Sequence, residues 1–155
     1  MGQLNIVFPN GGWTQFRNIT DLNDNLVEDD WDKCFNMNVK SGLWLMHAAM
    51  KHLDETEGAF ITTASVAGAY SVTKAAQIHL AKALAVLATP KIRVNSVSPG
   101  LLLKDWGNKF SDERKAAHIQ KTKLKRTDVA EQVYTLARSR SITGANVVID
   151  DGFSL

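Results

Sequence analysis

The sequence is poor in cysteine and contains no long hydrophobic run. Cys34 is the one cysteine in 155 residues, which excludes an internal disulfide framework and a cysteine-rich zinc module. No apolar run approaches the roughly 18 residues that a membrane span requires. The net charge is +2, and the basic stretch 115–126 lacks interleaved aromatic residues, which argues against a nucleic-acid partner. These absences predict a cytoplasmic protein with neither a membrane nor a nucleic-acid partner.

Metal-ligating residues are also sparse. His47 and His52 lie on one predicted helix without a matching pair of further ligands, so we expect no metal site. The length of 155 residues predicts one domain, residues 1–155, with a single sizeable core. Cys34 is interpreted as a small core residue near a helix start.

The chain alternates between short apolar, β-branched runs and longer segments with helical periodicity. The runs predict strands at Leu4–Phe8, Ala59–Ala64, Ile92–Val97 and Ala145–Asp150. Helices are predicted over about Val27–His52, Tyr70–Ala88 and Asp112–Thr122. A last helix is expected to be capped by Thr127, and its core face is predicted from apolar residues at helical spacing, namely Val129, Val133, Leu136 and Ala137. This alternation predicts an α/β fold, with a doubly wound parallel sheet of about four strands and helices on both faces.

The longest predicted helix has a start signal and an apolar stripe. Asn25 followed by Glu28 three residues later resembles a capping box. Apolar side chains then recur at three- and four-residue spacing and predict the face that packs on the core: Trp31, Phe35, Val39, Leu43, Met46 and Met50. Asn38 lies beside this stripe, either as a tolerated polar residue or as a buried amide that reaches a site.

A candidate proton-transfer site lies around the second predicted strand. Ser65 follows this strand, and Tyr70 and Lys74 stand four residues apart on one face of the following helix. An unperturbed tyrosine titrates near pH ~10, and an adjacent cation favours its phenolate, as acid–base chemistry at neutral pH requires. The Tyr–Lys pair alone is a weak indication, because both residues are common.

Further residues are predicted to gather at the same edge of the sheet. Asn10, Ser65 and the pair Pro99–Gly100 each follow a predicted strand, and sites in doubly wound sheets lie beyond the carboxyl ends of the strands. The sequence therefore places these residues beside Tyr70 and Lys74.

Taken together, these motifs resemble those of the short-chain dehydrogenase/reductase family and occur in the family's order along nearly the whole chain. They are Asn10-Gly11-Gly12, Asn38, Ser65 with Tyr70 and Lys74, Arg93-Val94-Asn95 with Pro99-Gly100, Ile142-Thr143-Gly144, and the final Asp151-Gly152. The resemblance implies a partial Rossmann-like sheet. It also implies an oxidoreductase that transfers a hydride between NAD or NADP and a carbonyl or alcohol substrate.

The resemblance also implies roles for individual residues. Tyr70 would be the general acid/base and Ser65 would hydrogen-bond the substrate oxygen. Lys74 would lower the tyrosine pKa and hold the nicotinamide ribose, and Asn38 would keep a proton-relay water beside it. The cofactor would contact Asn10, Gly11, Tyr70, Lys74, Pro99, Gly100 and Leu102.

The chain departs from the family pattern in three places. It has no G-x-x-x-G-x-G turn for the cofactor pyrophosphate, and it begins at what corresponds to the family's fourth strand. Ser65 and Tyr70 are five residues apart, a shorter loop than the family has. Lys104 stands where the family often has a threonine near the cofactor.

These features leave two hypotheses open. The chain is either an oxidoreductase, alone or with a complementing partner, or a truncated and catalytically inactive relative that acts as an interaction or oligomerisation module. In the family the two long helices pair across a subunit interface, so we expect a homo-oligomer, or a hetero-oligomer with a full-length relative. The strand Leu4–Phe8 is expected to expose an apolar edge that favours association.

Overall fold

The computed structural model describes residues 2–18, 20–65, 71–102, 111–124 and 128–154. Within these residues, four strands form one parallel sheet in the order β1-β2-β3-β4. The strands are β1 (Ile6–Val7), β2 (Ala59–Thr63), β3 (Arg93–Pro99) and β4 (Asn146–Ile149). The predicted α/β fold with a parallel sheet is confirmed.

Helices connect the strands, as the alternating pattern predicts. A 3-10 turn (Asn23–Asn25) precedes a long helical rod that consists of α1 (Glu28–Phe35), a π-helical segment (Asn36–Lys40) and α2 (Ser41–Thr56). The remaining helices are α3 (Ser71–Ala88), α4 (Asp112–Lys121) and α5 (Val129–Arg138). No helix in the described part of the chain is long and apolar enough to cross a membrane.

The sheet is covered on both faces, because alternate residues of its central strands point in opposite directions. Phe60 and Val94 pack against α2 and α3 in one apolar cluster, with Met46 and Leu53 of α2 and Leu84 of α3. On the opposite face, Ala59, Ile61 and Val97 form a second cluster with Leu136 of α5. The near-continuous apolar run of β2 is thus explained by its burial on both faces.

The first helix differs from its prediction at its start and end. Val27 occupies the N-cap position without a side-chain hydrogen bond, and Asn25 belongs to the preceding 3-10 turn. The expected capping box of Asn25 and Glu28 is therefore wrong. The rod ends at Thr56 rather than His52.

The apolar stripe predicted on this rod coincides only in part with the face that packs on the core, since Met46 is buried in the first cluster and Met50 packs against it. Trp31 and Leu43 are both 39% exposed. The buried positions are Cys34, Asn38, Gly42, Met46, Ala49 and Leu53. Small or polar side chains occupy four of these six positions, so a pattern that ranks residues by apolarity selects several neighbouring positions in their place.

The last helix follows its prediction more closely. Leu136 is buried in the second cluster, and Val129, Val133 and Ala137 pack against it, which confirms the expected core face of α5. The cap predicted at Thr127 lies outside the described residues, as does Tyr70, the predicted first residue of the third helix.

Candidate active site

The carboxyl ends of β1 and β2 are joined by a hydrogen bond between side chains. Thr63, the last residue of β2, donates its hydroxyl to Asn10 Oδ1 at 2.9 Å. Asn10 belongs to the loop after β1, and the exposed Gly11 follows it. The structure therefore places Asn10 at the sheet edge predicted for it.

Lys74 reaches the same strand end from the first turn of α3. Its ammonium donates to the backbone oxygen of Thr63 at 2.7 Å and to Gln77 Oε1 at 2.9 Å. The side chain is buried, with 3% exposure. Burial lowers the pKa of Lys74 from 10.5 to about 8, and the Cys34 thiol opposes this shift. Lys74 thus combines a short reach to the strand end with a titration near neutral pH.

Asn38 lies in the π-helical segment and is buried. Its Oδ1 accepts from the Trp13 backbone N–H at 2.7 Å, and its Nδ2 donates to the Trp13 carbonyl at 2.8 Å. Nδ2 also donates to Thr73 Oγ1 at 3.0 Å. Because Thr73 precedes Lys74, Asn38 is coupled to the helix turn that carries the lysine. Single π-turns within α-helices are frequent at functional sites.

Ser65 follows β2 and is partly buried. Ala64 donates its backbone N–H to the Val97 carbonyl at 2.7 Å, so the β2–β3 ladder continues to the residue before Ser65. Ser65 therefore lies at the carboxyl end of the sheet, as predicted. Tyr70 lies outside the described residues, so the approach of Tyr70 to Ser65 and Lys74 stays a prediction.

Pro99 is the last residue of β3, and Gly100 follows it at this edge of the sheet. Gly100 donates its backbone N–H to the Ile149 carbonyl at 3.0 Å. A Cβ on Gly100 would lie 3.0 Å from Asp150 Cα, so close backbone packing explains the glycine. Leu102 stands two residues further and is 37% exposed. The cofactor contacts predicted for these residues are not tested by this geometry.

Two residues of the R-V-N motif lie further from the strand end and hold neighbouring elements. Arg93 donates from its guanidinium to three backbone oxygens at the end of α5, those of Leu136, Ala137 and Ser139. The Asn95 amide donates to the Ile142 carbonyl at 2.8 Å and accepts from the Ala145 N–H at 3.0 Å. These side chains fix α5 and the approach to β4.

A shallow cleft, open to solvent, lies beside this network. Its lining includes Cys34 and Thr73 together with the loop residues Thr14 and Gln15. Arg17 pairs with Asp30 at 2.7 Å along the rim. Among the described residues, no group of three side chains could hold a metal ion.

Sequence reasoning missed four residues of this network: Trp13, Thr63, Thr73 and Gln77. Gln77 could have been found, because it stands three residues after Lys74 on the same helix face. Trp13 takes part through its backbone, and a backbone contact leaves no pattern in residue types. Thr63 contributes both a backbone oxygen and a hydroxyl at the end of an apolar run, where it is easily read as a strand residue.

Comparison with known proteins gives matches along the whole chain. A family model described as Enoyl-(Acyl carrier protein) reductase matches residues 1–154. The chain is 33% identical over 172 aligned positions to the 3-oxoacyl-[acyl-carrier-protein] reductase FabG of Staphylococcus aureus, covering 97% of this chain and 66% of that protein. The chain thus spans about two thirds of the length of this relative.

Solved structures agree with the sequence matches. A short-chain type dehydrogenase/reductase from Mycobacterium ulcerans superposes with a TM-score of 0.86 at 26% identity, over 98% of this chain and 61% of that one. A short chain dehydrogenase from Leptospira borgpetersenii with bound NAD+ gives a TM-score of 0.81 at 25% identity, over 97% of this chain and 65% of that one.

Proposed function

Because this chain belongs to the short-chain dehydrogenase/reductase family, we propose that it carries the catalytic part of an NAD(P)-dependent oxidoreductase. Its substrate would be a carbonyl compound in one direction and the corresponding alcohol in the other. The observation that carries the proposal is the buried Lys74, whose ammonium binds the end of β2 and whose pKa is lowered to about 8.

The residues at the sheet edge suit the nicotinamide half of a dinucleotide. Lys74 offers ammonium donors, and Asn10 and Ser65 offer an amide and a hydroxyl. Such groups match the ribose hydroxyls and the carboxamide of that half. Lys74 would hold the ribose, while the strand-end loops at Gly11 and Gly100 would lie along the ring. Bound nicotinamide supplies the hydride-carrying ring.

The proton of the reaction would be moved by Tyr70. The phenol stands one helical turn before Lys74 in sequence, and a cation nearby favours the phenolate. Lys74 holds its positive charge below pH about 8, so it would lower the tyrosine pKa in the neutral range. The Ser65 hydroxyl would donate to the substrate oxygen and hold it toward the tyrosine.

Asn38 would act by positioning. Both donors of its amide are used by Trp13 and Thr73, so its side chain fixes the turn before Lys74 relative to the loop after β1. The relay water implied by the family resemblance remains a proposal for this residue.

The comparisons suggest a broad substrate class. The Staphylococcus aureus relative is named for a 3-oxoacyl group on acyl carrier protein. We therefore propose 3-oxoacyl thioesters and small ketones as the first substrates to assay.

Titration of the purified chain with NADH and NADPH tests the proposal, with nicotinamide fluorescence and calorimetric heat as readouts. We expect saturable binding with a Kd below about 1 mM. Lys74→Met should weaken it at least about tenfold, since a charge-assisted hydrogen bond is lost. Lys82→Met, at an exposed position of the same helix, is the matched control and should bind as the wild type. Absence of saturation at millimolar concentration for both cofactors would refute autonomous cofactor binding.

A second candidate is an interaction module without catalytic activity. The observation that favours it is the apolar surface of α2 and α3, where Trp44, Val86 and Leu87 are 66%, 76% and 72% exposed. A chain that binds neither cofactor but forms a stable homo-oligomer, or a hetero-oligomer with a full-length relative, would support it.

A further inference from the structure

A chain of buried hydrogen bonds runs from Lys74 through α3 to β2. The Lys74 ammonium donates to Gln77 Oε1 at 2.9 Å, and Gln77 Nε2 donates to the hydroxyl of Thr62. We propose that Gln77 is a positioning residue for Lys74, and that its amide, oriented by Thr62, holds the ammonium at the end of the sheet.

The three side chains linked by these hydrogen bonds are all shielded from solvent. Lys74 is 3% exposed, Gln77 5% and Thr62 4%. A buried polar group that lacks its partner costs about 1 to 3 kcal/mol, so these groups depend on one another. Because the three side chains are buried, solvent has little access to replace Gln77 as an acceptor for the ammonium.

The chemistry of the groups fixes the direction of the amide. An ammonium has donors only, so it must face the amide oxygen. The amide NH2 then points away from Lys74 and requires an acceptor, which the Thr62 hydroxyl provides. Thr62 therefore satisfies the NH2 of Gln77 in the orientation that a charged lysine requires.

The position of Gln77 follows from the helix. Residues three apart on an α-helix share a face, so Gln77 stands one turn beyond Lys74 and beside it. On the other side, the ammonium meets the Thr63 carbonyl at 2.7 Å. Lys74 is thus held between an oxygen of β2 and an oxygen of α3.

The charge on Lys74 depends on its surroundings. Burial lowers the lysine pKa, and among the described residues the Cys34 thiol of α1 raises it. The neighbouring β2 presents Thr62 and Thr63, and the π segment presents Asn38, none of which titrates. Changes at position 77 should therefore act on Lys74 directly.

The test measures Lys74 itself, by NMR titration of the chain labelled with 13Cε-lysine and without cofactor. Lys74→Arg assigns the resonance. Gln77→Glu places a carboxylate beside the ammonium and should raise the midpoint by about one pH unit or more. Gln77→Met keeps the shape, removes the acceptor and should lower the midpoint. A purely structural role would not shift Lys74 in opposite directions.

The second variant is Thr62→Val. It leaves Gln77 in place and nearly preserves the volume at position 62, but it removes the hydroxyl that accepts from the amide. It should lower the midpoint by less than Gln77→Met, and it serves where a position-77 variant does not fold. Gln120→Leu, at an exposed position of α4, is the control and should leave the midpoint unchanged. Unchanged midpoints in the Gln77 and Thr62 variants, or shifts of one sign in Gln77→Glu and Gln77→Met, would overturn the proposal.

The inference rests on the proposed function only for its catalytic consequence. If Lys74 responds as expected and neither cofactor binds, the proposed function fails while the positioning role stands. If both cofactors bind and substitutions at position 77 leave the Lys74 midpoint unchanged, the positioning role fails while the proposed function stands.

Discussion

The side-chain amide of Asn38 binds both backbone polar groups of Trp13. Asn38 Oδ1 accepts from the Trp13 N–H at 2.7 Å, and Nδ2 donates to the Trp13 carbonyl at 2.8 Å. The two residues are 25 positions apart. This pairing fixes the loop after β1 against the π-helical segment. The same amide reaches Thr73, so one buried side chain joins three elements beside Lys74.

Removal of the Asn38 amide should therefore destabilise the protein. Asn38→Ala removes these partners from the Thr73 hydroxyl, which is buried, and from the Trp13 N–H and carbonyl, which are partly buried and can be reached in part by water. Since each unsatisfied buried group costs about 1 to 3 kcal/mol, we expect the free energy of unfolding to fall by about 2 to 4 kcal/mol. Urea unfolding followed by circular dichroism measures this change.

The control for Asn38 stands two residues earlier in the same π segment. Asn36 is exposed, so Asn36→Ala should change the free energy of unfolding by less than about 0.5 kcal/mol. Equal effects of the two substitutions would mean that the Trp13 pairing adds nothing to stability.

Lys74 should make stability depend on pH in the alkaline range. Its pKa falls from 10.5 to about 8 on burial, so between these values the unfolded chain binds more protons than the folded chain. Stability contributed by this group then increases as pH rises from about 8 to about 10.5. At about 1.4 kcal/mol per pKa unit, the full change is about 3 kcal/mol.

The comparison that isolates this effect is wild type against Lys74→Met. Relative to Lys74→Met, the wild type should gain about 3 kcal/mol in its free energy of unfolding as the pH rises from 7 to 10.5. Lys82→Met, at an exposed site on the same helix, should give a difference that is nearly flat with pH. A flat difference for Lys74→Met as well would contradict the lowered pKa.

Sequence patterns predict the elements better than the network that joins them. The apolar, β-branched run Ala59–Ala64 predicts β2 to within one residue, because a strand buried on both faces needs apolar side chains throughout. The core face of α1 and α2 was found only in part: Met46 of the predicted stripe is buried in the core, whereas Asn38 and Gly42 occupy further positions of that face. Side-chain apolarity cannot identify an amide that is buried by pairing with backbone atoms.

Part of the site could have been predicted and part could not. Asn10 and Lys74 meet at Thr63 because the carboxyl ends of parallel strands share one edge. Gln77 could have been predicted from its three-residue spacing from Lys74. The pairing of Asn38 with Trp13 could not have been predicted. Every residue type offers the same backbone groups, and only the folded loop brings those of Trp13 to Asn38.

The edge of β1 should promote self-association of the chain. Within the described residues β1 pairs with β2 on one side, and Leu4, Ile6 and Phe8 are 36%, 47% and 37% exposed. A lysine on such an edge opposes strand addition, so Ile6→Lys should lower the weight-average sedimentation coefficient. Thr20→Lys, which adds the same charge at an exposed position elsewhere, should not. Identical sedimentation of the wild type and Ile6→Lys would show that the edge of β1 is not the site of self-association.

The apolar surface of α2 and α3 makes a separate prediction about oligomers. Trp44 is 66% exposed, and large aromatic side chains dominate the energy of many interfaces. Trp44→Glu should weaken a helix-mediated dimer at least about tenfold in sedimentation equilibrium. Leu22→Glu is the control, because Leu22 is 74% exposed outside these helices. If both substitutions weaken association equally, the helices do not form the interface.

Arg93 should stabilise the end of α5 by binding its last carbonyl groups. A cation at a helix C-terminus is favourable, and bonds from a charged donor contribute about 1.5 to 3 kcal/mol. Arg93→Met should therefore reduce the free energy of unfolding by at least about 2 kcal/mol. Arg93→Lys should lose less, since it keeps the charge but not the planar fork. Arg140→Met is the control: Arg140 is exposed and disfavours the charge on Arg93, so its removal should not destabilise. Equal unfolding midpoints in urea for Arg93→Met and Arg140→Met would show that Arg93 does not hold α5.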